Sequence, residues 1–128
     1  MKIGELAART DLSVDTLRYY EKLGLIAPPR RIGGQRIYDE AAVGWIAFLK
    51  ALKATGMSLH DMKRYALMRT RGAETAAPRR EMLERQRTIV RARIAELQDC
   101  LAVLDHKIDN YHAIEAEHAR ADARRANR

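Results

Sequence analysis

The sequence has one cysteine, Cys100, one tryptophan, one phenylalanine and three prolines among 128 residues. A single thiol excludes an internal disulfide and any metal site built from several thiolates of one chain. Such sparing cysteine use fits a reducing, cytoplasmic setting. No run of 18 apolar residues occurs, so neither a transmembrane helix nor a membrane partner is expected. The opening Met1-Lys2-Ile3-Gly4-Glu5 lacks the apolar stretch of a secretory signal. There is no Gly-rich phosphate loop, no nucleophile elbow and no paired His/Cys set, so no enzyme activity, cofactor or metal is expected. His106, His112 and His118 lie six apart on a helical pattern. Consecutive ones sit about 120° off each other and cannot close on one ion. His112 with Glu115 reads as a solvated pair.

Glycine and proline are also missing from a whole region. All seven glycines lie at or before Gly72, and no proline follows Pro78. The remainder is rich in Ala, Leu, Arg and Glu, which reads as one long helix. The expected organisation is a mainly α protein. A compact head covers 1–70, a linker 71–78, a long helix 79–118 and a flexible tail 119–128.

Charge follows the same border. Of the net +7, residues 1–71 carry +6 and residues 72–128 carry +1. A basic head beside a nearly neutral helix suggests that the head meets a polyanion.

The head begins with a short helix whose Ile3, Leu6 and Ala7 share a face. Thr10-Asp11-Leu12 turns the chain, and Ser13 sits at an N-cap position before a second helix from Val14 to about Leu23. Val14, Leu17 and Glu21 lie on one side of it; Thr16, Arg18, Tyr19 and Lys22 point elsewhere. Gly24 ends it. Two short helices joined this way form a helix-turn-helix, whose second helix can enter a major groove. Gly33-Gly34 then reads as the turn of a short hairpin carrying Arg30, Arg31 and Arg36, with Tyr38 at its exit. A hairpin placed here is a wing, and three arginines on it favour phosphate contact.

Asp39 caps a third helix, Glu40 to about Thr55, with Val43, Ile46, Ala47, Leu49 and Leu52 as an apolar stripe and Trp45 and Phe48 as bulky core anchors. Gly56 stops it. Ser58-Leu59-His60-Asp61 opens a fourth helix carrying Met62, Tyr65, Ala66 and Leu67.

Ile3-Gly4-Glu5-Leu6-Ala7, Thr16-Leu17-Arg18-Tyr19-Tyr20-Glu21, Gly24-Leu25-Ile26, Pro29-Arg30, Arg36-Ile37-Tyr38 and Thr55-Gly56-Met57-Ser58-Leu59 together resemble the head of the MerR family of bacterial transcription regulators. The resemblance covers residues 2–68. It departs at Asp11, where the family usually has Gly; Asp tolerates the left-handed backbone that such a turn needs. The resemblance implies that Thr16 to Glu21 lies in the recognition helix. Arg18 would then contact the duplex, and Tyr20 would donate its hydroxyl to a phosphate. Tyr19 would lie at the DNA or against the wing. Arg30, Arg36 and Tyr38 would touch the DNA backbone, and Leu17 would be core. Thr16, Lys22 and Arg31 complete the expected interface.

On the long helix, Leu83, Val90, Ile94, Leu97, Leu101, Leu104, Ile108 and Tyr111 form an apolar seam, regular at heptad spacing from Val90. At 1.5 Å per residue the helix 79–118 is roughly 60 Å long, too long to bury on its own head. A second copy is the simplest partner. The resemblance implies an antiparallel coiled coil in a homodimer, with two heads on two half-sites of a promoter. It also implies a spacer that must be distorted for RNA polymerase. Cys100 flanks the seam and reads as a packing residue.

The cysteines of the family's metal and redox sensors have no counterparts here: Ala76-Ala77-Pro78 stands at one such place, and Ala51 where electrophile-sensing relatives carry a thiol. A chain ending at Arg128 reads as a short form without an appended effector domain. The expected function is therefore a sequence-specific regulator binding double-stranded promoter DNA, with a small-molecule or stress signal still to be identified. The alternative is a coiled-coil adaptor without specific DNA binding; it leaves the arginine wing unexplained.

Overall fold

The computed structural model describes residues 1–128. The elements run α1 (Ile3–Thr10), α2 (Val14–Lys22), β1 (Arg30–Ile32), β2 (Gln35–Ile37), α3 (Glu40–Ala54), α4 (Leu59–Thr70), a 3-10 turn (Gly72–Thr75) and α5 (Ala76–Ala126). The chain is mainly α, with a two-stranded wing and a long C-terminal helix. It divides into two compact units, Met1–Arg87 and Thr88–Arg128.

Local chemistry sets the helix starts of the head. The Ser13, Asp39 and Ser58 side chains accept from the backbone N–H of Thr16, Ala42 and Asp61. Each satisfies a donor that the helix itself leaves open. The turn between α1 and α2 runs through Asp11 at φ 55° and ψ 38°, the only non-glycine with positive φ. The wing pairs Arg30 with Ile37, Arg31 with Arg36 and Ile32 with Gln35. Its turn places Gly33 and Gly34 at φ 59° and 80°. Two successive positive φ values match the right-handed twist of a tight hairpin. Met1 is stitched to the wing's exit: its amine donates to the Tyr38 carbonyl at 2.6 Å, and the Tyr38 N–H donates to the Met1 carbonyl at 2.7 Å.

The core of the first unit is built on Leu6, Leu17, Leu25, Ile46 and Leu49, with Met57, Met62 and Tyr65 beside them. Trp45, Phe48 and Tyr65 cluster at ring separations of 5.5 to 6.1 Å. Trp45 and Phe48 are half-buried against this core. The Trp45 indole N–H donates to the Leu25 carbonyl at 2.7 Å, tying α3 to the segment that leads into the wing. Leu67, expected among the apolar residues of α4, is exposed, and Met68 packs inward instead.

The helix boundaries differ from expectation. The expected linker, 71–78, holds a 3-10 turn and the first residues of α5, which starts at Ala76. Pro78 lies inside the first turn of that helix. A missing N–H costs nothing there, because the first helical donors have no partner in the helix. The buried Thr75 hydroxyl donates toward the Met68 and Gly72 carbonyls, and Arg79 reaches back to Thr75 and Gly72. The head does not end at residue 70. Met82 is buried in the same core, Leu83 packs on it, and the Gln86 amide donates to the Thr55 carbonyl and hydroxyl at 3.2 and 3.0 Å.

The second unit is helical through Ala126, so the expected tail at 119–128 continues α5. Ion pairs from Glu117 to Arg120 and Arg124 line that last stretch. Alanine-rich sequence with such pairs favours helix.

Candidate nucleic-acid interface

The interface begins with α2. Leu17 is buried and holds the helix on the core, while Arg18, Tyr19 and Lys22 stand exposed on its outer side. Thr16 is half-exposed, and its hydroxyl accepts from Ser13 at 2.8 Å. The Tyr20 ring is buried. No buried side-chain polar atom in the protein lacks a partner, and no hydrogen bond engages the Tyr20 hydroxyl. That hydroxyl therefore reaches the surface, where a phosphate oxygen could take it.

The wing has two unlike faces. Arg31 and Arg36 are cross-strand partners and share one; Arg30, Ile32 and Ile37 lie on the other. Arg36 turns toward α2. Its Nη1 donates to both carboxylate oxygens of Glu21, at 3.0 and 3.1 Å. Arg18, Lys22, Glu21 and Arg36 line one open groove between α2 and the wing, with Ile3 and Pro28. Three cations against one carboxylate make this groove basic, as a phosphate surface must be.

Two of the expected contact residues do not line this groove. Tyr38 is buried, and its hydroxyl donates to Glu21 at 3.3 Å instead of facing the groove. Burial pushes that phenol above its ordinary value near 10, and the Glu21 charge adds to the shift. Arg30 extends from the wing face turned away from α2, among Pro28, Ile32 and Ile37.

Glu21 is the functional residue that sequence reasoning missed. It reads as one more residue of the inner side of α2. In the structure it binds Arg36 and Tyr38 together with only 13% of its side chain exposed. It thereby ties the wing to α2. Its contacts lie 15 and 17 residues away, beyond the reach of local patterns. Another ion pair, Arg9 with Glu40 at 2.6 and 2.8 Å, links α1 to α3. Each group favours the other's charged form, so Glu40 is held below and Arg9 above its ordinary value.

A helix-turn-helix followed by a basic wing, on a chain ending in one long helix, defines a winged-helix DNA-binding regulator rather than an enzyme or an adaptor. The sequence matches the MerR HTH family regulatory protein family over residues 1–68 and the MerR DNA-binding family over 43–107. The chain belongs to the MerR family and is a DNA-binding transcription regulator.

Relatives agree over most of the length. The chain is 32% identical to YyaN of Bacillus subtilis, an uncharacterised HTH-type transcriptional regulator, over 88% of this chain and 91% of that one. It is 36% identical to an uncharacterised HTH-type regulator of Haemophilus influenzae, over 86% and 82%. Among solved structures, a Listeria monocytogenes protein assigned to the same family superposes with TM-score 0.89 at 34% identity, over 100% and 99% of the two chains. HiNmlR, a MerR family regulator lacking the sensor domain and bound to promoter DNA, superposes with TM-score 0.80 at 34% identity, over 90% and 92%.

Proposed function

We propose that the chain works as a homodimer on a pseudo-palindromic promoter operator and regulates RNA polymerase there by deforming the DNA between two half-sites. The observation that carries this reading is the exposed seam of the second unit. Ile94, Leu97, Leu101, Leu104, Ile108 and Tyr111 lie on one stripe, each 49 to 59% exposed. Apolar side chains at heptad spacing call for a partner helix. An antiparallel second copy covers them and presents two heads. Leu83 drops out of this interface, because it packs on its own head. The seam starts at Val90, which is half-buried.

On each half-site, α2 lies in the major groove with Thr16, Arg18, Tyr19, Tyr20 and Lys22 toward the duplex. Arg31 and Arg36 of the wing take phosphates. Glu21 and Tyr38 position the wing. Most of these contacts orient rather than read bases, so part of the specificity lies in DNA shape. Bending a site of this size costs of order 1–6 kcal/mol, which paired head contacts offset. A signal then switches the dimer between two arrangements of its heads.

Footprinting of the DNA upstream of its own reading frame tests the proposal. Two protected half-sites flanking a centre of altered cleavage are expected. Protection of a single half-site, or none, contradicts it.

A further inference from the structure

Behind the wing, apart from the groove that Arg18, Glu21 and Arg36 line, is a cleft of about 390 Å³. Trp45 of α3, Ile32 and Ile37 of the wing, Pro28 and Ala42 give it an apolar lining. Two cations join that lining, Arg30 and Arg69. The Arg69 guanidinium lies 4.0 Å from the Trp45 ring centre, and neither arginine has a carboxylate partner. One acid, Asp39, shares the lining; it accepts from the Ala42 N–H as the cap of α3 and is outnumbered by the two arginines. The cleft therefore offers an apolar lining, room for a small molecule and a net positive charge. Those are the demands of an apolar anion, whose body leaves water while its charge meets a guanidinium.

We propose that this cleft binds a small apolar carboxylate, aromatic or branched aliphatic, and that its occupancy acts on the wing. The body of the ligand lies between Trp45 and the Ile32–Ile37 face. Its carboxylate meets Arg69, with Arg30 as second donor. Arg31 and Arg36 sit on the opposite face of the same two strands, so a ligand bracing the back of the wing alters how the front meets phosphate. Binding itself is a property of the head. Its coupling to DNA rests on the regulator reading above, for which it supplies a signal class.

Trp45 is the protein's single tryptophan, so its emission reports on the cleft directly. The probe is 4-tert-butylbenzoate, compared with the uncharged 4-tert-butylbenzamide of the same shape. The full-length protein should show a saturable change in Trp45 emission, with the benzoate binding about tenfold more tightly than the amide, the worth of one charge-assisted contact. Arg69→Gln, at an exposed position, should erase that preference. Ala41→Phe, which adds a ring at a residue lining the cleft, should abolish the response. The benzoate should shift operator affinity for wild type and not for Ala41→Phe. No saturable change, equal binding of acid and amide, or a full response in Ala41→Phe overturns the site. Saturable binding with unchanged operator affinity overturns its coupling to the wing. Operator binding without any probe is a separate measurement: its absence overturns the regulator reading and leaves the cleft result standing.

Discussion

Arg36 of the wing and Glu21 of α2 form an ion pair in which one guanidinium nitrogen, Nη1, serves both carboxylate oxygens, at 3.0 and 3.1 Å. The Arg36 side chain in this pair is 45% exposed. A carboxylate at a DNA surface repels phosphate, yet this one aims the cation that attracts it. Which effect wins is measurable. Glu21→Gln should weaken operator binding by about threefold to tenfold per head, equivalent to about 1 kcal/mol of lost positioning. Amide exchange in the wing should quicken in the same variant. Tighter binding would mean that Glu21 acts only as an unwanted negative charge.

Tyr38 supplies a pH test. Its phenol is held above the ordinary value near 10, by burial first and then by Glu21. The folded state thus keeps a proton that the unfolded chain gives up near pH 10. The stability that goes with this proton is intact below pH 10 and is lost as the pH rises through the higher folded value. Denaturant unfolding of wild type and Tyr38→Phe should differ by a constant amount at neutral pH. That difference should move against wild type above pH 10. A gap independent of pH would show that the phenol titrates normally.

Asp11 holds the turn between α1 and α2 in the left-handed region, at φ 55°. It also places a negative charge at the C-terminal end of α1, where the helix dipole disfavours one. Asp11→Gly should raise stability by about 0.5–1 kcal/mol, and Asp11→Val should lower it by a similar amount or more. Urea unfolding at fixed protein concentration checks both. A destabilised Asp11→Gly variant would mean that the carboxylate makes a contact of its own.

Leu101 lies in the middle of the exposed seam, at 55% exposure. Under the proposed dimer, Leu101→Asp buries an unpaired carboxylate and should cost about 3–5 kcal/mol of association. Sedimentation should find wild type dimeric at micromolar concentration and the variant monomeric. A monomeric wild type would remove the coiled coil from the account.

Much of the fold is written in local sequence signals. Ser13, Asp39 and Ser58 cap the helices they precede, and Gly33-Gly34 turns the wing, because each effect acts within three or four residues. Leu17 and Glu21 sit on the inner side of α2 as the period predicts. The signal misled at Pro78, which looks like a breaker but falls in the first turn of a helix, where proline is tolerated. It also misled at the end of the head. Met82 and Gln86 carry nothing local to announce that the first enters the head's core and the second reaches the cap of α3. The division of the wing arginines between two faces depends on register, and the place of Tyr38 depends on a carboxylate 17 residues away. Neither relation leaves a trace in local composition.

In the proposed complex the basic groove of α2 and the wing holds the DNA backbone. The most direct test is the salt dependence of operator affinity for wild type, Arg18→Ala and Arg36→Ala, with circular dichroism confirming equal helix content. Each phosphate contact contributes about 0.9 to the slope of log K against log salt. Losing one contact per head of a dimer should therefore flatten that slope by about two, with weaker binding at moderate salt. Variants that bind as tightly as wild type, with the same slope, would contradict the assignment of the groove.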